Sequence, residues 1–153
     1  GDDAYSSDDT KNSFNNLYGN GHNLYGYMDY FSQIDKDTKG GGLMDLYARL
    51  NYKFSKKASA EVTYHNFSFT NSVVDSVSTP GISKKADAYL GSEVDITFKY
   101  KPASNLEFSC GYSTMLAAPS MEILKGGSHS RFQQWAWVML TFKPEFYNSN
   151  KNK

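Results

Sequence analysis

The chain predicts an all-β fold, an antiparallel up-and-down meander that forms part of a transmembrane β-barrel. Three observations carry this expectation. Apolar and polar residues alternate over several segments, short and long connections alternate between those segments, and aromatic residues gather at one end of the apolar faces. Composition agrees: 12 Tyr and 10 Phe stand against 4 Pro in 153 residues, an excess of strand-favouring side chains.

Residues 1–13 read as a flexible amino-terminal segment. Gly1-Asp2-Asp3-Ala4 has neither a methionine nor the apolar core of a signal peptide, so Gly1 reads as a cleavage remnant. Residues 14–42 read as an extracellular loop region, with a short helix as the alternative form. Residues 43–144 hold the barrel hairpins, and 145–153 form a flexible tail.

The first strand runs through Leu46 to Phe54. Leu46, Ala48, Leu50, Tyr52 and Phe54 point one way, and Asp45, Tyr47, Arg49, Asn51 and Lys53 the other. After the Ser55-Lys56-Lys57 turn, Ala58, Ala60, Val62 and Tyr64 continue the apolar face opposite Glu61, Thr63 and His65. Alternation blurs over Asn66 to Thr70, as at a β-bulge. A long polar connection from Asn71 to Lys85 contains the turn signal Pro80-Gly81.

The third strand places Leu90, Val94, Ile96, Phe98 and Tyr100 opposite Tyr89, Glu93, Asp95, Thr97, Lys99 and Lys101. A tight Pro102-Ala103-Ser104 turn leads to its mate, where Leu106, Phe108, Cys110, Tyr112 and Leu116 oppose Glu107, Ser109, Gly111 and Ser113. The second long connection, Ala118 to Ser130, includes Gly126-Gly127 and a helical turn through Met121, Ile123 and Leu124. In the last strand Phe132, Ala136, Val138, Leu140 and Phe142 oppose Gln133, Trp135, Trp137, Met139, Thr141 and Lys143.

Period two alone leaves open which face is wet. Tyr52, Phe54, Phe98, Tyr100 and Phe142 fall beside the short turns, at the level of an interfacial aromatic girdle. The expected lipid-facing set is therefore Leu46, Leu50, Tyr52, Phe54, Val94, Ile96, Phe98, Tyr100, Val138, Leu140 and Phe142. The expected pore-lining set is Asp45, Tyr47, Arg49, Lys53, Glu61, His65, Glu93, Asp95, Lys99 and Glu107. Charges of mixed sign at that density cost little in a water-filled lumen. Five strands are too few to close a membrane barrel, whose smallest size is about eight. The chain is thus expected to be part of a larger barrel, and by itself to self-associate through unpaired strand edges.

Several functions are disfavoured. A formal net charge of zero supplies no positive field for nucleic acid. The single Cys110 allows no internal disulfide and no cysteine zinc cluster. His22, His65 and His129 have no ligand spacing, and Asp35-Lys36-Asp37-Thr38-Lys39-Gly40 departs from a calcium loop, so it reads as a flexible hydrophilic loop. Ser109-Cys110-Gly111 is no nucleophile elbow. Glu93 and Asp95, about 6–7 Å apart on one strand face, have the residue types of a glycosidase pair, but lumen charges give the same pattern. The expectation is no enzyme, no metal and no cofactor.

Phe14-Asn15-Asn16-Leu17-Tyr18-Gly19-Asn20-Gly21-His22-Asn23-Leu24-Tyr25-Gly26-Tyr27-Met28-Asp29-Tyr30-Phe31 resembles a segment of alginate-export-like outer-membrane proteins, which are large porin-like barrels. The resemblance continues through Tyr89 to Ile96 and Trp135 to Phe142 and covers most of residues 14–143. It implies the carboxy-terminal hairpins of such a barrel, with the first segment a loop or short helix near the pore mouth. There the tyrosines and Asp29 would pack into the lumen or bind sugar. The last strand resembles the assembly signal of outer-membrane proteins, although Lys143 to Lys153 follow it.

The functional expectation is passive or facilitated passage of small polar solutes, acidic sugars among them, across the outer membrane of a Gram-negative bacterium. The partners would be membrane lipid and that solute. Arg49, Lys53, Lys99 and Lys101, on the inward face near the periplasmic end, would favour anions. A soluble β-barrel holding an apolar ligand and an adhesive outer-membrane protein are the alternatives.

Overall fold

Strict alternation produces extended strands, and short polar turns fold them back on their neighbours. In the computed structural model, which describes residues 14, 21–75, 84–144 and 146, five strands form one open antiparallel meander. They are β1 (Leu43–Lys53), β2 (Ala58–Phe69), β3 (Tyr89–Ala103), β4 (Leu106–Ala117) and β5 (Gln133–Phe142). Two short helices, α1 (Gly21–Leu24) and α2 (Ile34–Asp37), precede β1, and a third, α3 (Ser120–Lys125), lies in the β4–β5 connection. The expected flexible segment 1–13, the Pro80-Gly81 turn and the tail 145–153 apart from Phe146 lie outside the described residues.

Registers align the alternating faces without a slip over most of the sheet. Leu50, Val62, Ile96, Tyr112 and Ala136 form one row across all five strands on one face, and Arg49, Thr63, Asp95, Ser113 and Trp135 one row on the other. The apolar face is left open: Leu50 is 70% exposed and Val138 72%. Among the described residues, no helix is long and apolar enough to cross a membrane, which says nothing about strands.

The core lies on the polar side of the sheet, at its long-loop end. Phe31, Phe67, Phe69, Val73, Leu90, Met115, Met121 and Ile123 pack there beneath the connections, with the Phe31 and Phe67 rings 4.8 Å apart. This explains the blurred alternation after Asn66. Phe67 and Phe69 share the face of His65, but loops cover that face at this height, so the inward positions become apolar.

Two local expectations are corrected. The sequence puts Leu90 with Val94 and Ile96, yet Leu90 is fully buried in the core. A register shift at Phe67/Ser68 reverses the parity there, and Tyr89 turns outward to share Ser92 Oγ with Tyr64. Gly91 permits the change: at φ 139° its backbone suits glycine, and a Cβ would stand 2.6 Å from the Leu116 carbonyl. The second hairpin also turns later than expected. β3 runs through Pro102 to Ala103 and reverses at Ser104-Asn105, with an irregular register where Pro102 has no N–H to give.

The 35–40 segment contains a helical turn rather than a plain loop. Thr38, fully buried, donates from Oγ1 to the Ile34 carbonyl and accepts from Gly42 N–H. Lys125 reaches across from α3 to Asp37 at 2.6 Å, tying the β4–β5 connection to the segment before β1. The helical turn expected around Met121 to Leu124 is present as α3.

Candidate functional site

The polar face of the sheet changes character along its length. From the long-loop end, its cross-strand rows run Tyr47-His65-Glu93-Met115-Gln133, Arg49-Thr63-Asp95-Ser113-Trp135, Asn51-Glu61-Thr97-Gly111-Trp137 and Lys53-Ser59-Lys99-Ser109-Met139. Acidic groups therefore gather at one end, tryptophans on one side, and lysines at the short-turn end.

At the acidic end Asp45, His65, Glu93 and Asp95 come together from β1, β2 and β3. His65 Nδ1 lies 2.8 Å from Asp45 Oδ2, and its Nε2 lies 3.7 Å from Asp95 Oδ2. Both ring nitrogens thus face carboxylates, which fixes the imidazole between strands, and its ring also stacks on Phe67 at 5.4 Å. Glu93 is fully buried and Asp95 2% exposed. Among the described residues, one oxygen on each of Asp45, Glu93 and Asp95 has no hydrogen-bond partner.

The segment after α1 covers this layer. Met28 N–H donates to Glu93 Oε1 at 2.8 Å, and Tyr27 N–H to Asp95 Oδ2 at 3.4 Å. These successive backbone donors give the buried carboxyl oxygens partners that the sheet itself does not supply. Gly26 makes the approach possible. It sits at φ 84°, and a Cβ there would lie 2.5 Å from Glu93 Oε1. Tyr30 Oη donates to Gln133 on β5, and Phe31 enters the core, so the segment spans the polar face. Burial raises the Tyr27 and Tyr30 phenols above their ordinary value, with the charges of Glu61 and Glu93 adding to the respective shifts.

Arg49 lies between the two ends: its Nε donates to Thr63 and stands 3.6 Å from Glu61. The Trp137 ring lies against Gly111, directly across from it, so closely that any Cβ would collide with the indole. Trp135 precedes it along β5, 6.5 Å away between centroids, and His22 meets Trp135 edge-on.

Every pore-lining candidate of β1 to β3 stands on the face the alternation assigns to it, and Glu107 lies there beside Lys101 at 2.8 Å. Of the lipid-facing candidates, Val94 and Phe98 are half-buried, and the rest are open. The sequence treated the charged face as simply wet and did not anticipate the cover over Glu93, Asp95 and His65. Gly26 stands between Tyr25 and Tyr27 in the sequence with nothing local to mark its contact with Glu93. No sequence rule links that glycine to a carboxylate 67 positions later.

The remaining histidines each take a single carboxylate: His22 with Asp29, and His129 with Glu122. The His129 backbone and ring nitrogens at Glu122 hold that carboxyl below its usual range. Among the described residues, no group of three or more such side chains is arranged to hold a metal ion. Comparison with protein-family models, with curated proteins and with solved structures found no match.

Proposed function

We propose that this chain supplies hairpins of an outer-membrane β-barrel of the porin type, of the kind its resemblance to alginate-export-like proteins implies. In this reading the open apolar face meets lipid in a Gram-negative outer membrane. The charged face borders a passage for small polar solutes, acidic sugars among them. The carrying observation is the inversion of the sheet: carboxylates are buried on one face, while Leu50, Leu140 and Val138 are exposed on the other. A sheet face that meets water is ordinarily the polar one, because exposed apolar area is unfavourable.

Strand length supports the same reading. The strands run from 10 to 15 residues, and a tilted membrane strand needs about 9–11. The aromatic level at the short turns is present as well. Tyr52 packs edge-on against Phe54 at 4.9 Å, and Phe54 lies 6.3 Å from Phe98.

The test is conductance in planar bilayers across a salt gradient, using the protein that carries these hairpins. The expected result is an open pore with anion preference. Replacing Arg49, Lys53, Lys99 and Lys101 by Gln should bring the reversal potential toward that of an unselective pore. No conductance, or a preference untouched by the fourfold change, contradicts the proposal.

A further inference from the structure

The short-turn end carries a pocket of about 510 Å³ lined by Lys53, Lys56, Lys57, Lys99 and Lys101, with serines but no carboxylate in its wall. In a chain of zero net charge this is a marked separation of sign. Two turns distant in sequence make it. Lys57 Nζ donates to the Pro102 carbonyl at 2.8 Å, and Lys101 N–H donates to the Lys57 carbonyl at 2.7 Å, so the β1–β2 and β3–β4 connections are stitched together. Ser55 Oγ accepts from both Lys57 N–H and Ala58 N–H, which closes the first turn on itself.

Register fixes the rest. Lys53 and Lys99 flank Ser59 in a single cross-strand row, about 10 Å apart at their Cα atoms from the spacing of adjacent strands. Their long stems can bring both ammonium groups to one ligand above Ser59. Lys101 is partly neutralised by Glu107 at the rim, and Lys57 is engaged with Pro102. That leaves Lys53, Lys56 and Lys99 as the principal donors. Like charges held this close repel one another, and an anion between them relieves the repulsion.

We propose that this pocket binds phosphate groups. Ammonium groups act as point charges without the planar fork that matches a carboxylate. Phosphate concentrates nearly two charges and three acceptor oxygens in one place, so it can take donors from several directions at once. A small solute and a lipid headgroup both offer this phosphate, because the recognising chemistry is the same. The site stands on the two stitched turns and does not rest on the membrane reading.

The test is calorimetric titration of the full chain in zwitterionic detergent with inorganic pyrophosphate. A parallel arm measures retention of a phosphatidylglycerol probe doped into phosphatidylcholine nanodiscs. Lys53→Gln/Lys56→Gln/Lys99→Gln is compared with Lys36→Gln/Lys39→Gln/Lys85→Gln, which removes the same charge elsewhere. Circular dichroism checks that both variants keep their sheet.

The expected result is binding that weakens at least about tenfold in the first triple variant and stays within about twofold of wild type in the second. Such binding with pyrophosphate assigns a solute phosphate, and with the lipid probe alone a headgroup. Absence of binding in both arms, or equal weakening by the two variants, overturns the site. Because binding is read without conductance, a pore that conducts without binding phosphate sinks the pocket alone. Lysine-dependent binding by a chain that fails to conduct sinks the transport proposal alone.

Discussion

Gly26 occupies a position that no other residue type fits without strain. Its positive φ and its contact with Glu93 act together, so Gly26→Ala should cost about 1–3 kcal/mol. Hydrogen exchange of the Tyr27 and Met28 amides reads the effect directly: both should exchange faster in the variant, whereas β2 and β3 amides should keep their protection. Unchanged protection at Tyr27 and Met28 would show that the contact with Glu93 does not hold the segment down. The phenols of the same segment give a pH test. Their pKa values are higher in the folded chain than the ordinary value of 10.0, so the folded state holds these protons more tightly. The stability they contribute is complete below about pH 10 and is lost as pH rises through the folded values. Absorbance titration at alkaline pH should therefore show a late-ionising class of tyrosines that disappears in Tyr27→Phe/Tyr30→Phe. A class that persists in that double variant contradicts the assignment.

Strands and their faces were legible in the sequence because period two is a local property. Leu46 to Phe54 and Phe132 to Lys143 needed only the residues themselves, and the structure keeps the alternation of Leu46 to Lys53 and Gln133 to Phe142 through matching registers. Leu90 was misjudged because a register shift at Phe67/Ser68, a pairing property, decided its side. The acidic layer was half legible: alternation placed Asp45, His65, Glu93 and Asp95 on one face, but their meeting needed three strands in register. The cover of Tyr27 and Met28 was not legible, since it depends on backbone donors that carry no side-chain signature. The face assignment makes a sharp prediction on a single strand. Leu50 and Asn51 are neighbours, both exposed, and on opposite faces. If the Leu50 side meets lipid, Leu50→Lys should cost about 2–4 kcal/mol of folding into vesicles, and Asn51→Lys within about 1 kcal/mol. Equal tolerance of both changes, measured by denaturant titration, argues for water on both faces.

Among the described residues, the open sheet has two unpaired edges, along β1 and β5, and one uncovered apolar face. Each is unfavourable in water. An edge is a template for another strand, and a continuous apolar surface seeks contact. The chain should accordingly sediment as species larger than a monomer in plain buffer, and a purely monomeric profile contradicts that expectation. In a bilayer the same face needs no protein partner. The most direct test is a nitroxide scan of β5 from Gln134 to Leu140 in phosphatidylcholine vesicles, comparing collisions with oxygen, which enters lipid, and with a polar nickel chelate, which does not. The expected result is a period of two, with Ala136, Val138 and Leu140 favouring oxygen and Trp135, Trp137 and Met139 favouring the chelate. High chelate access at Ala136, Val138 and Leu140 would contradict it.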